Sequence, residues 1–123
     1  MSQTDSLRCV VYQEATGVWI ARGLEHDLAA EARSIGETVR ALAHLVEAHS
    51  EFDERHHRTP LSAFRPAPQS YWNAYSTGTP ISLSQFAIHS PGGWELAVVI
   101  AHCRPSAAHF AVPVQVRSAG GRR

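Results

Sequence analysis

The first third of the chain alternates between apolar and polar residues with a period of two. Residues 7–13 alternate in this way and are rich in valine, which is typical of a β-strand. A small-residue turn at 14–17 separates them from a second alternating stretch at 18–23, so the pair predicts a hairpin. A polar turn at 25–27 precedes a shorter stretch at 28–32. The pattern therefore predicts a three-stranded antiparallel meander.

The period then changes to that of a helix. Ser34 and Glu37 have the S-x-x-E spacing of a capping box, in which the side chains of both residues satisfy backbone N–H groups. One apolar stripe follows at helical spacing: Ile35, Val39, Leu42, Leu45 and Val46. The pattern turns polar through residues 51–58, so the helix is expected to fray there and end before Pro60. Its stripe is expected to cover the open face of the meander.

The second half has a weaker pattern. Residues 65–68 contain two prolines and predict an extended connector, and 69–75 predict a short aromatic helix that ends near Gly78. Two more strands are expected at 95–101 and 110–116, the latter at a sheet edge because it contains Pro113. The predicted fold class is α+β: an antiparallel sheet that starts with the meander, is packed by one long amphipathic helix, and has additional C-terminal strands. We expect a single domain over residues 1–123, with a core at 7–58, a proline-rich and aromatic connector at 59–80, strands within 81–117 and a flexible tail at 118–123.

Composition and charge narrow the classes of function. Apolar residues make up 44% of the chain and charged residues 18%, which is typical of a globular protein. Eleven basic residues balance eleven acidic ones, whereas a protein that grips nucleic acid phosphates usually carries a basic surplus. We find no signal peptide and no apolar run approaching the ~20 residues that cross a bilayer, so a cytoplasmic location is expected. Cys9 and Cys103 both fall in strand-like stretches and are expected to be small buried residues rather than a disulfide.

The stretch "VVYQEATGVWIARGLEHDLAAEARSIGETVRALAHLVEAH" resembles the N-terminal domain of the HicB-like antitoxins. The similar pieces are the first strand, Gly17-Val-Trp-Ile-Ala21, the short third strand and the capped start Ser34-Ile-Gly-Glu37; "PAPQSYWNAY" at 66–75 is also similar to some members. The resemblance implies a degraded ribonuclease-H-like sheet with one packed helix and no catalysis of its own. It also implies neutralisation of a small HicA-type ribonuclease toxin by direct binding. After residue 80 the chain departs from the family, because neither a helix-turn-helix nor a ribbon-helix-helix pattern follows, and this makes DNA binding doubtful.

Two kinds of metal chemistry are alternatives. A ribonuclease-H-like centre needs converging carboxylates to hold divalent ions, and the acids of the sheet region are Glu14, Glu25, Asp27 and Glu31. Most of these fall in or beside turns, where solvated charges are normal. His49, Asp53 and His56 or His57 share one helical face, although the pattern indicates no fourth ligand and resembles a solvated helix end. His102, Cys103 and His109 form a weaker candidate.

Nucleophilic catalysis has little support, because neither Cys9 nor Cys103 has a base at a spacing typical of a catalytic pair. We therefore expect no catalytic residue, no metal and no cofactor. A metal-dependent hydrolase and an orphan protein- or ligand-binding domain remain the alternatives to an antitoxin.

Protein recognition is the expected activity, since aromatic residues and arginine are the usual hot spots of interfaces. Tyr71 and Tyr75 share a helical face beside Trp72, although aromatic residues in small domains also serve as core. A HicA-type toxin is itself basic, so acids at the turns of the sheet would complement its charge. The candidate partner-binding residues are Trp19, Glu25, His26, Asp27, Tyr71, Trp72 and Tyr75. A homo-oligomer is also compatible with the sequence.

Overall fold

A computed structural model describes residues 5–105 as an α+β fold, which confirms the predicted class. The strands are β1 (Asp5–Ala15), β2 (Val18–Gly23), β3 (Ala29–Ala32), β4 (Thr79–Ile81) and β5 (Trp94–Ile100). The helices are α1 (Ile35–Arg55) and α2 (Gln69–Thr77), and a 3-10 turn lies at Leu83–Phe86. Within this part of the chain no helix is both long and apolar enough to cross a membrane. The strand predicted at 110–116 with Pro113, the residue His109 and the tail at 118–123 lie outside the described residues.

The strands form one mixed sheet in the order β3-β2-β1-β5-β4. The antiparallel meander β1-β2-β3 is present as the sequence predicts, but β5 pairs with β1 in parallel, from Asp5 opposite Trp94 to Val11 opposite Ile100. The expectation of an antiparallel sheet throughout is therefore wrong at its centre. Alternation of side chains is the same in parallel and antiparallel strands, so strand direction depends on the connection. Here the connection through α1 and α2 returns the chain to the end of the sheet at which β1 begins.

Local chemistry determines the ends of the first elements. The β1–β2 turn contains Gly17 at φ 73°, a backbone conformation that glycine adopts without steric cost. The β1–β2 register shifts between Gln13 and Ala15, which places a bulge in β1 just before that turn. At the start of α1, Ser34 Oγ accepts a hydrogen bond of 3.1 Å from Glu37 N. This is the bond of the predicted capping box that the serine side chain makes as N-cap.

The helix α1 covers one face of the sheet. Its apolar residues pack with alternate strand residues into one cluster whose fully buried members include Leu7, Cys9, Val11, Val39, Leu42 and Val46. Thr38 is fully buried at this contact, and its Oγ1 lies 3.0 Å from Ala30 O and 3.3 Å from Trp19 O. A buried hydroxyl therefore joins the first turn of the helix to β2 and β3. The predicted packing of the capped helix on the meander is present.

The opposite face of the sheet is buried by α2 and the segment before it. Val10, Tyr12, Ile20 and Ala29 form a second cluster with Tyr71 of α2 and Ala67 of the connector. Both faces of β1 are thus covered, which explains why its two alternating sets of side chains are both largely apolar. Gly78 ends α2 where an added Cβ would clash with Ile100 O, so only glycine permits this approach to β5.

A candidate interaction surface on the α2 side of the sheet

A buried arginine lies at the centre of the α2 side. Arg22 projects from β2 on the same face as Ile20, and its side chain is only 3% exposed. Its Nη1 donates a hydrogen bond of 2.8 Å to Asp27 Oδ1, and its Cζ lies 4.4 Å from the centre of the Tyr71 ring. Tyr12 completes the group, with its ring centre 5.8 Å from that of Tyr71. Arg22, Asp27, Tyr12 and Tyr71 are called the inner cluster below.

The pKa values of two members of the inner cluster are raised. Burial disfavours the charge of Arg22, but the neighbouring Tyr12 and Asp27 more than offset this effect, so the pKa of its guanidinium is raised. Burial also raises the pKa of the Tyr12 phenol, although the positive charge of Arg22 opposes the shift. The Nε of Arg22 has no hydrogen-bond partner among residues 5–105. The cation is therefore held by Asp27 and by aromatic rings on a face that excludes water.

A second arginine lies at the rim of the same face. The backbone N–H of Arg8 donates a hydrogen bond of 2.7 Å to Glu25 Oε1, while Arg8 Nε lies 3.0 Å from Glu25 Oε2. The guanidinium Cζ of Arg8 is 5.3 Å from the centre of the Trp72 ring. The Arg8 side chain is 52% exposed and that of Glu25 is 27% exposed, so this ion pair faces solvent. Arg8, Glu25, Trp72 and Tyr75 are called the outer cluster.

One further contact fixes the tryptophan of the outer cluster. Trp72 Nε1 donates a hydrogen bond of 3.0 Å to Ala67 O, which orients the indole ring. The pKa of the Tyr75 phenol is raised chiefly by burial, with the Arg8 charge opposing and the Glu25 charge adding to the shift. The outer cluster thus combines one cation, one anion and two aromatic rings on the α2 side of the sheet.

The loop after β2 positions both clusters. Leu24 N donates to Arg8 O, Asp27 N donates to Arg65 O, and Ala67 N donates to Leu24 O, each at 2.8 Å. The loop is therefore joined to β1 on one side and to the connector on the other. Because α2 follows the connector directly, these bonds place α2 beside the loop, with Trp72 at Arg8 and Tyr71 at Arg22.

The structure brings together five of the seven predicted partner-binding residues. Glu25 and Asp27 lie beside Tyr71, Trp72 and Tyr75 on the α2 side, as described above. His26 and Trp19 lie on the α1 side instead. The His26 ring meets Trp94 edge-on with centres 5.9 Å apart, its Nδ1 lies 3.4 Å from Phe64 O, and Trp19 packs against the α1 cluster.

The two arginines that organise the site were not predicted from the sequence. Arg8 lies two residues from Val10 on β1, and Arg22 lies two residues from Ile20 on β2. Each arginine therefore shares a strand face with a buried apolar residue. That placement was the available signal, because a charged residue within an apolar face needs a partner. The identity of that partner depends on the return of the 25–27 loop, which periodicity does not describe.

The candidate metal ligands have other contacts. Asp53 Oδ2 accepts a hydrogen bond of 2.8 Å from Leu61 N, which fixes the loop after α1. His56 Nδ1 lies 2.8 Å from Phe52 O, and the His49 ring meets Phe64 edge-on. Among residues 5–105 no three His, Cys, Asp or Glu side chains are grouped so that they could hold a metal ion. Of the remaining acids, Glu14 lies 3.8 Å from Arg104, and Glu31 lies on edge strand β3.

The two cysteines differ in their surroundings. Cys9 is buried in β1 as expected, and burial raises the pKa of its thiol, with the Glu25 charge adding to the shift. Cys103 is exposed and lies beyond the end of β5, so the expectation that it is a buried strand residue is wrong. The strand ends at Ile100, and His102 beyond it contacts Thr79 Oγ1 at 2.7 Å.

The geometry on the α2 side is suited to recognition, because rigid aromatic rings and arginine are combined at a partly exposed rim. Comparisons with protein-family models, with curated proteins and with solved structures gave no match for the chain.

Proposed function

We propose that the chain is a HicB-like antitoxin, or a protein derived from one, that binds and neutralises a small HicA-type ribonuclease toxin. It acts in the cytoplasm by binding and not by catalysis. The α2 side of the sheet carries the contact. The observation that supports the proposal most directly is the packing of the capped helix α1 on the meander, since the resemblance implies this arrangement of one helix on a small sheet.

The contacts of the carboxylates support binding over metal-assisted hydrolysis. Glu25 accepts from a backbone amide and faces a guanidinium, and Asp27 accepts from Arg22. A metal-binding carboxylate needs its oxygens directed at a shared ion together with other acids. Here each of these two acids is directed at a cation of the chain itself, which is the arrangement of a structural carboxylate.

The outer cluster fits the chemistry of a basic partner. Glu25 and the exposed Glu95 supply negative charge on one side of the sheet, and Trp72 and Tyr75 supply flat apolar surface. Basic side chains bind at such places through charge and through contact with the ring face. The inner cluster supports this surface from below: Arg22, Tyr12 and Tyr71 are buried, and Asp27 is 17% exposed.

Inhibition of a HicA-type ribonuclease by the purified full-length chain tests the proposal. We expect stoichiometric inhibition of RNA cleavage and a complex visible by size-exclusion chromatography. Glu25→Lys is expected to weaken the complex, whereas Glu54→Lys, which makes the same charge change on the exposed side of α1, is expected to leave it unchanged. Absence of inhibition at a large excess of the chain, or equal effects of the two variants, would contradict the proposal.

A further inference from the structure

The outer cluster has the parts of a binding site for a guanidinium group. Glu25 Oε1 accepts from the backbone N–H of Arg8 at 2.7 Å, so the carboxylate is oriented by a main-chain atom and not by the Arg8 side chain. Its other oxygen, Oε2, faces the cation at 3.0 Å. The Trp72 ring, fixed by its own bond to Ala67 O, provides the surface on which the cation rests. All three features would persist if the Arg8 side chain were removed.

The side chain that fills this site is held weakly. Arg8 is half-exposed, and ion pairs in such positions contribute little because water and salt screen them. A guanidinium has five donors, and the contact with Glu25 Oε2 uses only its Nε edge. The Arg8 side chain is therefore able to move into solvent while Glu25 and Trp72 keep their places.

We propose that the Glu25–Trp72 site of the outer cluster is a guanidinium-binding site that accepts an arginine side chain of a basic protein partner, which displaces the chain's own Arg8. In the free protein Arg8 occupies the site as a substitute for that ligand. This deepens the proposed function and rests on it only for the identity of the partner. The chemistry of the site would be the same for any partner that presents an exposed arginine.

Local charge favours a cation over an anion as the incoming group. Arg8 faces Ala97 across the β1–β5 pair, and Glu95, two residues before Ala97, lies on the same face of β5. Glu25 and Glu95 thus place two carboxylates on the face of the sheet that carries Arg8. A phosphate or carboxylate ligand would meet this negative charge, whereas an arginine replaces Arg8 without changing the charge of the site.

The shape of the site favours arginine over lysine. A guanidinium is planar, so it lies flat against an indole ring while its edge nitrogens donate to a carboxylate in the same plane. In the free protein Arg8 lies at both groups, with Cζ 5.3 Å from the centre of the ring and Nε 3.0 Å from Glu25 Oε2. A lysine ammonium makes point contacts and does not satisfy both requirements together.

The direct test is titration of the full chain with N-acetyl-arginine amide at constant ionic strength, followed through the tryptophan indole N–H signals in ¹⁵N NMR spectra. Removal of the competing side chain in Arg8→Ala is expected to tighten binding by roughly tenfold, because the probe no longer displaces an ion pair and a cation–ring contact. The Trp72 signal is expected to move and saturate. Trp19 and Trp94 lie on the α1 side and serve as internal controls in the same spectrum.

Matched variants complete the test. The double variant Arg8→Ala with Glu25→Gln is expected to lose the tighter binding of the probe that Arg8→Ala alone produces. Glutamine keeps the size of the side chain and its acceptor for the backbone amide of residue 8, but it lacks the negative charge. Arg55→Ala removes an exposed arginine from α1 and is expected to bind the probe as the unchanged chain does. Arg8→Ser repeats the measurement with a polar residue, so that the result does not depend on the folding of one variant.

Three results would overturn the inference: equal affinity in the unchanged chain and in both Arg8 variants, retained affinity after Glu25→Gln, or equal binding of N-acetyl-lysine amide. These outcomes are separate from failure of the proposed function. Saturable binding of the arginine probe without any toxin inhibition would support the site and reject the toxin as its partner. Inhibition without probe binding would support the antitoxin and reject the site.

Discussion

Arg22 and Asp27 form an ion pair at 2.8 Å beneath the Tyr71 ring, with side-chain exposures of 3% and 17%. The pair joins β2 to the loop that is in turn hydrogen-bonded to the connector before α2. A buried guanidinium without its carboxylate is costly, because neither water nor another charge replaces the lost contact. This contact is therefore expected to hold the two layers of the α2 side together.

Loss of the Asp27 charge is expected to destabilise the fold. Asp27→Asn leaves Arg22 charged and buried, so the free energy of unfolding is expected to fall by about 2–3 kcal/mol. Breaking a fully buried ion pair costs about 3–5 kcal/mol. The smaller value is expected here because Asp27 is partly exposed. Urea unfolding followed by circular dichroism measures the change. Glu14→Gln, which removes one partner of the exposed pair with Arg104, is the control and is expected to change stability by less than about 0.5 kcal/mol. Equal effects of the two variants would show that the buried pair has no special role.

The cap of α1 is expected to contribute measurably to stability. Ser34→Ala removes the oxygen that accepts from Glu37 N and is expected to lower the free energy of unfolding by about 1 kcal/mol. Ser34→Asp keeps an acceptor and places a negative charge at the positive end of the helix dipole, so it is expected to be close to neutral. Thermal unfolding of the three proteins under the same conditions compares them. A loss of the same size in both variants would assign the effect to the serine's other contacts.

The two thiols are expected to react at very different rates. Cys103 is exposed, whereas Cys9 is fully buried with a thiol whose pKa is raised by burial, so it is neither accessible nor ionised at neutral pH. Titration of the native protein with a disulfide reagent is expected to modify one thiol rapidly and the second only after unfolding in urea. In Cys103→Ser the rapid phase is expected to disappear. A rapid phase that persists in that variant would mean that β1 opens readily.

Stability is expected to fall in alkaline solution through Tyr12. Burial raises the pKa of its phenol above the ordinary value of 10.0, so the folded chain keeps the proton at pH values at which the unfolded chain releases it. The unfolded state therefore binds fewer protons, and the free energy of unfolding falls as the pH rises above about 10, by up to about 1.4 kcal/mol per pH unit for this group.

Tyr12→Phe provides the comparison for this effect, because phenylalanine keeps the ring and has no proton to release. Its stability relative to the unchanged chain is expected to improve steadily between pH 9 and pH 11, whatever the difference at pH 7. Urea unfolding at several pH values measures the two curves. Parallel curves over this range would show that the Tyr12 phenol ionises normally in the folded protein.

The elements of the first half could be predicted because their signals are local. The period of two at 7–13, the turn before Val18 and the serine cap each depend on neighbours within a few residues. The strand β4 and the 3-10 turn at Leu83–Phe86 escaped prediction, since three or four residues do not establish a period. The outer cluster was predicted only for its aromatic and acidic members. Its arginine lies on a strand 60 or more residues before α2, and only the folded chain brings the two together.

The sequence by itself determined that a meander is followed by a capped amphipathic helix, because side-chain period and end chemistry act over a few residues. The tertiary structure alone decided that β5 runs parallel to β1, since the path of the connection sets strand direction and leaves no trace in alternation. It also decided the roles of the charges. Glu25 and Asp27 were predicted as acids that bind a partner, yet each lies against an arginine of the same chain. Asp27 pairs with Arg22 because a buried charge requires a partner, and Glu25 meets the exposed Arg8 because the loop after β2 is hydrogen-bonded to β1.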